Sequence, residues 1–214
     1  MNNELHTGPL GEASQYAEGY SPERLFPMPR AEGRLAVGLM ATPDWYGQDI
    51  WTGFEFSWLQ EKGKPEVAVL RLTVPAFCSH IVESKSMKLY LNGFAQTRFD
   101  SISAVRERLT EDLGSAFGGP VGVDLLALAD SSLRVGELQG ECLDELDVEI
   151  TDYERNPDLL ALTARGGKDD APVTQVLTTH LFRSLCPVTA QPDWASVLVS
   201  YTGAPIDRAG LLKY

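Results

Sequence analysis

The chain has 214 residues, 43% of them hydrophobic and 22% charged, which is enough to bury the core of one large domain or two small ones. A formal net charge of −12 argues against a direct nucleic-acid partner, because Lys and Arg supply most of the affinity for phosphates. With three scattered cysteines, and no apolar run near the roughly 18 residues of a membrane helix, we expect a cytoplasmic protein with no membrane partner and a small-molecule ligand.

The first stretch of the chain predicts an arm followed by a β-hairpin. Residues 1–35 contain four prolines and are interpreted as an irregular N-terminal arm. Apolar and polar side chains alternate over 51–59, which predicts a strand, and the apolar run 67–74 predicts a second one. We therefore expect a first module that begins at residue 36.

The spacing of the apolar residues then changes from that of a strand to that of a helix. Residues 84–94 predict a helix, and 102–113 predict another, with Asp100 or Ser101 as its start and Gly114 as its end. The apolar residues on the first helix face are Met87, Tyr90, Leu91 and Phe94.

Strand-like patterns return after these helices. Residues 121–125 and 146–150 each predict a strand, so the first module is expected to span 36–153. Residues 154–172 are rich in Gly, Pro and charged side chains, which predicts a linker. A second module is expected to begin at residue 173 and to occupy 173–214.

The second module repeats the opening of the first. Residues 176–185 and 194–201 predict another hairpin, and 206–214 begin a helix. The order of elements predicts the α+β class, with antiparallel sheets in two copies of one module. A hairpin with half a helix cannot bury its own apolar face. We therefore expect that it packs on the first module or that the second module is incomplete.

Metal sites are not predicted by the spacing of ligand residues. His6, His80 and His180 are scattered, and Cys78 lies two residues before His80 without a second pair to complete a zinc site. Acidic residues cluster over 141–154, which indicates either a cation site or a solvated strand face. No EF-hand spacing is present, so the solvated face is favoured and no metal is expected.

Cys186 is the strongest candidate nucleophile. A cysteine at the end of an apolar strand is commonly a buried filler. Here, however, Pro187 follows it and Pro192 precedes Asp193, so a hairpin loop can bring the thiol and the carboxylate together. Such a pair suits a reaction that needs a soft nucleophile and a proton donor. His180 lies six residues away along a strand, about 20 Å, which is too far for it to act as the base.

A second candidate group opens the first predicted helix. A helix start offers backbone N–H groups, and Ser84, Ser86, Lys85 and Lys88 add hydroxyl and ammonium donors, which suits a phosphate. The alternative is a capped helix with solvated lysines. The carboxylate of Glu83 can accept two parallel N–H bonds from a guanine-like edge.

Taken together, these stretches resemble the QueF nitrile reductases in their longer, two-module form. The resemblance runs from about residue 5 to residue 214. Its motifs are 48–52 (QDIWT), 81–92 (IVESKSMKLYLN), 96–99 (QTRF) and 184–194 (SLCPVTAQPDW). It implies a tunnelling fold (T-fold) with helices on one face of antiparallel sheets, and a cytoplasmic homodimer or higher homo-oligomer. It also implies reduction of the nitrile of 7-cyano-7-deazaguanine by NADPH, in the biosynthesis of the modified tRNA base queuosine.

The resemblance assigns a role to each matching position. Cys186 corresponds to the nucleophile that forms a covalent thioimide, and Asp193 to the proton donor. Glu83 corresponds to the purine anchor, with Val82 and Ser84 beside it as further substrate contacts. Ser84 and Lys85 correspond to NADPH contacts.

Two family motifs that complete the pocket, a Phe-His-Glu sequence and an Arg-Gly pair, lie in the family beyond the point that matches residue 214. We therefore expect a C-terminally incomplete chain that has the nucleophile and part of the pocket, and whose activity alone is open. Two other functions remain open. One is a non-catalytic purine- or pterin-binding T-fold module. The other is a pterin-forming T-fold enzyme, which needs zinc ligands that this sequence does not supply.

Overall fold

A computed structural model describes residues 19–130, 132–151, 153–154, 156–163, 172–186 and 189–214. The contacts within the chain divide it into two units, Met1–Arg134 and Val135–Tyr214. Within the described residues, no helix is long and apolar enough to cross a membrane.

The first unit combines a four-stranded sheet, a two-stranded sheet and three α-helices among its described residues. In chain order its elements are β1 (Pro27–Pro29), α1 (Arg30–Ala36), β2 (Gln48–Gln60), β3 (Pro65–Pro75), β4 (His80–Val82), α2 (Ser84–Asn92), β5 (Arg98–Phe99), α3 (Ile102–Phe117) and β6 (Gly122–Leu126). The prediction of an irregular arm over 1–35 is wrong for the last residues of that range. There β1 pairs antiparallel with β4, and α1 follows directly. Residues 1–18 of the predicted arm lie outside the described residues.

The larger sheet has the strand order β5-β2-β3-β6. The predicted hairpin is confirmed, because β2 and β3 pair antiparallel, with a register shift between Gly53 and Phe56. The strand predicted over 121–125 is confirmed as β6, which pairs antiparallel with β3. The fold is α+β, as predicted, and is that of a T-fold-like module. The sheet is mixed rather than purely antiparallel, because β5 pairs parallel with β2.

The core of this unit lies between β2, β3 and the apolar faces of α2 and α3. Helix α3 contributes a residue on every turn of its buried face, and each such side chain stabilises the fold by about 1.5–3 kcal/mol. Those residues are Val105, Leu109, Leu113 and Phe117, each fully buried. The helical spacing of apolar residues that the sequence predicted is therefore confirmed, and it continues one turn beyond the predicted end of the helix.

The ends of α3 are set by two residues. Ser101 is the N-cap, with its Oγ accepting the Ala104 N–H at 3.1 Å, which confirms one of the two predicted starts. The predicted end at Gly114 is wrong. Gly118 takes a φ of 67°, and Gly119 donates its N–H to the Gly114 carbonyl at 3.1 Å, which forms a Schellman motif. Gly114 lies inside the helix because the apolar repeat continues to Phe117.

The second unit is built on one long hairpin. Its elements are β7 (Glu141–Cys142), β8 (Val173–Leu185), β9 (Pro192–Gly203) and α4 (Arg208–Lys213). Strands β8 and β9 pair antiparallel, which confirms the second predicted hairpin, with a register shift between Thr179 and Phe182. The predicted helix is two residues shorter at its start, because Asp207 caps α4 by accepting the Ala209 N–H at 3.1 Å.

The acidic segment before this hairpin differs from its prediction. The strand predicted over 146–150 is absent from these described residues. Pairing occurs earlier, where β7 runs parallel to β8 with Cys142 opposite Thr178. The Leu146 N–H then donates to the Leu143 carbonyl at 3.1 Å, which turns the chain away from the sheet. In the division of the chain by its contacts, β7 belongs to the second unit, as does its partner β8.

The described part of the predicted linker also contacts the second unit. It contains a 3₁₀ turn at Pro157–Leu159, and Leu162 forms an antiparallel bridge with Ile206. The Thr163 N–H donates to the Pro205 carbonyl at 2.7 Å. The rest of the linker, residues 155 and 164–171, lies outside the described residues.

Candidate active-site residues

Glu83 is fixed in place by the helix that it caps. It lies between β4 and α2, where its Oε1 accepts the Lys85 N–H and its Oε2 accepts the Ser86 N–H, both at 2.7 Å. The Ser86 hydroxyl donates back to the Glu83 carbonyl at 2.7 Å. Only 8% of Glu83 is exposed. Because each carboxylate oxygen has two lone pairs, each retains one for a ligand after capping.

This cap changes the phosphate site that the sequence predicted at the start of α2. The N–H groups of Lys85 and Ser86 already bind a carboxylate, so they are not open to a phosphate. The other donors at this helix start include side chains. Ser84 and Lys88 are exposed, and Lys85 is half-buried. These hydroxyl and ammonium groups still fit an anionic ligand, through side chains rather than through the helix end.

Val82 precedes Glu83 at the end of β4. Its side chain is 2% exposed and belongs to the hydrophobic core. Its Cα lies opposite that of Pro27 in the short β1–β4 ladder. A ligand contact at this position would therefore use the main chain and not the isopropyl group.

Cys186 and Asp193 lie at the closed end of the β8–β9 hairpin. Asp193 is opposite Ser184, and Pro192 is opposite Leu185. Cys186 directly follows β8, and its N–H donates to the Gln191 carbonyl at 2.9 Å. Asp193 therefore lies two residues from the position opposite Cys186, so the predicted meeting of the thiol and the carboxylate across the loop is diagonal and not direct. Pro187, which was expected to end the strand, lies outside the described residues.

The register nevertheless assigns both side chains to one face of the hairpin. Directly opposite residues share a face, as do residues two apart along a strand. Cys186, Ser184 and Asp193 therefore share a face, with Cys186 and Asp193 as diagonal neighbours about 7–8 Å apart at Cα. Leu185 and Trp194 belong to the other face, where they are 53% and 60% exposed.

One cleft of about 470 Å³ lies elsewhere in the first unit. It is lined by Phe26–Arg30, by residues of α1 and by Ile81, and none of the six candidate residues lines it. Its two arginines are occupied. Arg30 pairs with Asp49, and Arg34 donates to the Ala76 carbonyl at 2.6 Å. The cleft is therefore not the candidate site.

The structure also brings together three side chains that the sequence did not connect. Cys142, Asp144 and His180 have ligand atoms that lie within 4.8 Å of one another. The sequence contains a Cys-x-Asp signal at 142 and 144, but His180 is more than thirty residues away. Only the β7–β8 pairing brings it to the same place.

Comparisons with known proteins identify the family of the chain. The N-terminal sequence model of the nitrile reductase, 7-cyano-7-deazaguanine-reductase family matches residues 16–125. A protein of Burkholderia orbicola named NADPH-dependent 7-cyano-7-deazaguanine reductase is 48% identical over 207 residues, which cover 96% of this chain and 74% of the relative. Relatives of the same name from Burkholderia thailandensis (48% identical) and Burkholderia multivorans (47%) have the same coverage. The chain belongs to this nitrile reductase family.

Membership of the nitrile reductase family extends across both units. Val82, Glu83, Ser84 and Lys85 lie inside the segment that the family model matches. Cys186 and Asp193 lie beyond that segment, in the part that aligns only with the full-length relatives.

Proposed function

We propose that the protein reduces the nitrile of 7-cyano-7-deazaguanine to the aminomethyl group of 7-aminomethyl-7-deazaguanine, with NADPH as the reductant, in queuosine biosynthesis. The observation that carries the proposal is 48% identity over 96% of the chain to proteins named for this activity. The positions of Glu83, Cys186 and Asp193 add chemical support, since each has a chemistry that the reaction requires.

Cys186 acts as the nucleophile in this proposal. Its sulfur adds to the nitrile carbon, one carbon–nitrogen π bond opens, and the nitrogen takes up a proton, which gives a thioimide bound to the enzyme. Asp193 supplies that proton and takes up the proton that the Cys186 thiol loses, so the step balances. The diagonal placement on one hairpin face, about 7–8 Å at Cα, is within the reach of a substrate held between the two groups.

Glu83 holds the purine in this proposal. Its capping bonds fix the carboxylate and leave one lone pair on each oxygen, which suits two parallel N–H donors on a guanine-like edge. Val82 contributes through its main chain, and the exposed Ser84 hydroxyl is a further polar contact.

NADPH, when bound, supplies the hydride for each of the two reduction steps. Ser84 and Lys85 fit its phosphates by type, because hydroxyl and ammonium groups are donors for an anion. The helix end itself is already capped by Glu83. The binding role therefore falls to side chains at the start of α2.

We also propose that the chain comprises two related modules, 36–153 and 173–214, joined by 154–172. In support, each contains a long antiparallel hairpin with a register shift inside it, at Gly53/Phe56 in the first and Thr179/Phe182 in the second.

Assembly into a homodimer or higher homo-oligomer is supported by exposed apolar side chains on the second hairpin, and sedimentation velocity tests it. Those side chains are Leu181, Leu185 and Trp194. A cytoplasmic location agrees with the sparse cysteines.

Intact-mass measurement after incubation with 7-cyano-7-deazaguanine tests the reaction. We expect a gain of one whole substrate, because addition to a nitrile releases nothing. Cys186→Ala should abolish the gain, and Ser184→Ala, which alters a small polar neighbour on the same face, should retain it. A gain that persists in Cys186→Ala would reject the assigned nucleophile. Tight substrate binding with no adduct in any variant would favour a non-catalytic purine-binding protein.

A further inference from the structure

The side chains of Cys142, Asp144 and His180 converge in the second unit. Cys142 ends β7, opposite Thr178 of β8, and the Leu143 N–H donates to the Thr178 carbonyl at 2.9 Å. The turn that follows brings Asp144 beside β8, which carries His180. One sulfur, one carboxylate oxygen and one imidazole nitrogen thus lie within 4.8 Å of one another.

Neighbouring groups orient two of these three side chains. The Thr179 hydroxyl donates to Asp144 Oδ1 at 2.6 Å, and the His180 N–H donates to Oδ2 at 3.1 Å. The imidazole Nδ1 of His180 is hydrogen-bonded to the Ser196 hydroxyl of β9 at 2.6 Å. A polar partner on one imidazole nitrogen is the usual arrangement around a metal-binding histidine, whose other nitrogen binds the metal.

We propose that Cys142, Asp144 and His180 bind one divalent ion of the zinc class. Sulfur, nitrogen and oxygen ligands are those that Zn²⁺ takes, and three protein ligands plus water complete a tetrahedron. Bond lengths of about 2.0–2.3 Å separate tetrahedral ligand atoms by roughly 3.3–3.8 Å, so the atoms need to close by at most about 1–1.5 Å. Cys142 and His180 are exposed, so their side chains have room to rotate toward an ion.

A cysteine nucleophile is the competing interpretation of the same three residues. It would require the thiol to meet the imidazole, with the carboxylate behind it. Here the Asp144 carboxylate accepts from the Thr179 hydroxyl and the His180 main-chain N–H, and the Nδ1 of His180 is bonded to the Ser196 hydroxyl. Nδ1 therefore has a hydroxyl partner in place of the carboxylate that a catalytic arrangement requires, which favours convergence of the three side chains on an ion.

The ion would join β7 and its turn to the β8–β9 hairpin. Only two residue pairs connect β7 to β8 in the described ladder. A metal held by both segments adds a cross-link that exists only in the folded chain. Its binding should therefore raise the melting temperature.

Titration of the metal-free full chain with Co²⁺ alone tests the proposal. We expect a thiolate-to-cobalt charge-transfer band and tetrahedral d–d bands that saturate at one equivalent and that Zn²⁺ abolishes. Cys142→Ser should lose the charge-transfer band, and His180→Gln should weaken binding at least tenfold. Cys186→Ser, which removes the other thiol of the same unit, should leave the titration unchanged. A titration without the band, or a band lost in Cys186→Ser instead, overturns the proposal.

Alkylation followed by mass mapping provides a readout that does not depend on the variants folding. Zn²⁺ should slow the modification of Cys142 in the unmodified sequence and leave the modification rate of Cys186 unchanged. Equal rates at Cys142 with and without Zn²⁺ count against the site. Neither measurement involves nitrile reduction, so the outcome is independent of the proposed function.

Discussion

Asp193 lies directly opposite Ser184 in the β8–β9 ladder, and Cys186 follows Ser184 by two residues. The three positions therefore occupy one face of the hairpin, with the thiol at its closed end. Asp193 is the proposed proton donor for a substrate held by Cys186. A carboxylate introduced at position 184 would lie on the same face.

Moving the carboxylate across this pair tests whether the shared face matters. Asp193→Ser should lower turnover by about 100-fold or more, because general acid catalysis contributes about that much. Adding Ser184→Asp should recover part of the lost turnover, since the new carboxylate lies on the same face as Cys186. Leu185→Asp in the same background, on the opposite face, should recover none. Steady-state NADPH oxidation measures all four proteins, and equal recovery from both positions would contradict the face assignment.

Glu83 is predicted to combine a capping role with a binding role. Glu83→Gln keeps one acceptor oxygen, so it should lower the free energy of unfolding by only about 1 kcal/mol. Its amide has one acceptor oxygen and one NH₂ donor, so it cannot accept two parallel N–H bonds, and affinity for the purine should fall by far more than the stability loss explains. Ser101→Ala removes the comparable N-cap of α3 and should cost about 1 kcal/mol as well, without any change in affinity. Calorimetric titration and denaturant unfolding separate the two effects.

Asp112 accepts hydrogen bonds from two phenol groups, and its removal should destabilise the first unit. Tyr20 and Tyr90 both donate to Oδ2 of Asp112, at 2.5 and 2.7 Å. Asp112→Ala leaves these hydroxyls without their acceptor, which costs about 1–3 kcal/mol. Glu111→Ala removes the adjacent exposed carboxylate, whose ion pair with Arg108 is worth about 0–1 kcal/mol. Equal losses in urea unfolding would contradict a special role for Asp112.

The same two tyrosines predict how stability depends on alkaline pH. Burial, followed by the hydrogen bond to Asp112, raises the pKa of Tyr20 and of Tyr90 above the ordinary value of 10.0. The neutral phenol is thus favoured in the folded chain, so this stabilisation is complete below pH 10 and declines as pH rises through the folded pKa. Tyr90→Phe should reduce that decline. Unfolding midpoints of the unmodified chain and of Tyr90→Phe, measured above and below pH 10, test this prediction. The same dependence of the midpoint on pH in both proteins would contradict it.

Gly118 is required at the end of α3, whereas Gly114 is not. A Cβ at Gly118 would sit at a φ of 67° and lie 2.1 Å from the Ser79 Oγ, so Gly118→Ala should cost at least about 1–2 kcal/mol. At Gly114 the nearest atom to an added Cβ is the Gly119 carbonyl oxygen at 3.5 Å, an ordinary contact. Gly114→Ala should therefore stabilise the helix by about 0.5–1 kcal/mol. Thermal melts of the two variants should shift in opposite directions.

Strong periodicity made most of this fold predictable. The hairpin of β2 and β3, helix α2 and the β8–β9 hairpin follow from alternation or helical spacing over many residues. Short elements were missed because their pairing is not local. The three residues of β1 are a strand only because β4 lies beside them, and β7 replaces the strand predicted over 146–150 because Thr178 pairs with Cys142.

The candidate site was likewise predictable only in part from the sequence. Residue types at 83–85 and 186–193 indicated the chemistry, but the sequence could not give the geometry that controls it. The start of α2 was expected to offer open N–H groups, whereas the carboxylate of Glu83 occupies two of them. The offset between Cys186 and Asp193 depends on a hairpin register that sequence spacing alone does not determine. The cluster of Cys142, Asp144 and His180 required a long-range strand pairing.

The burial of β8 changes along its length. Leu177 and Thr178 are almost completely buried, whereas every described residue from His180 to Leu185 is exposed. The segment that leads to Cys186 thus contributes little to the folding free energy of this unit, which is concentrated at the opposite end of the hairpin. The proposed nucleophile therefore lies on the part of the hairpin that matters least for stability. The end that carries Cys186 can acquire new side chains, by natural variation or by design, while the unit remains folded through its other end.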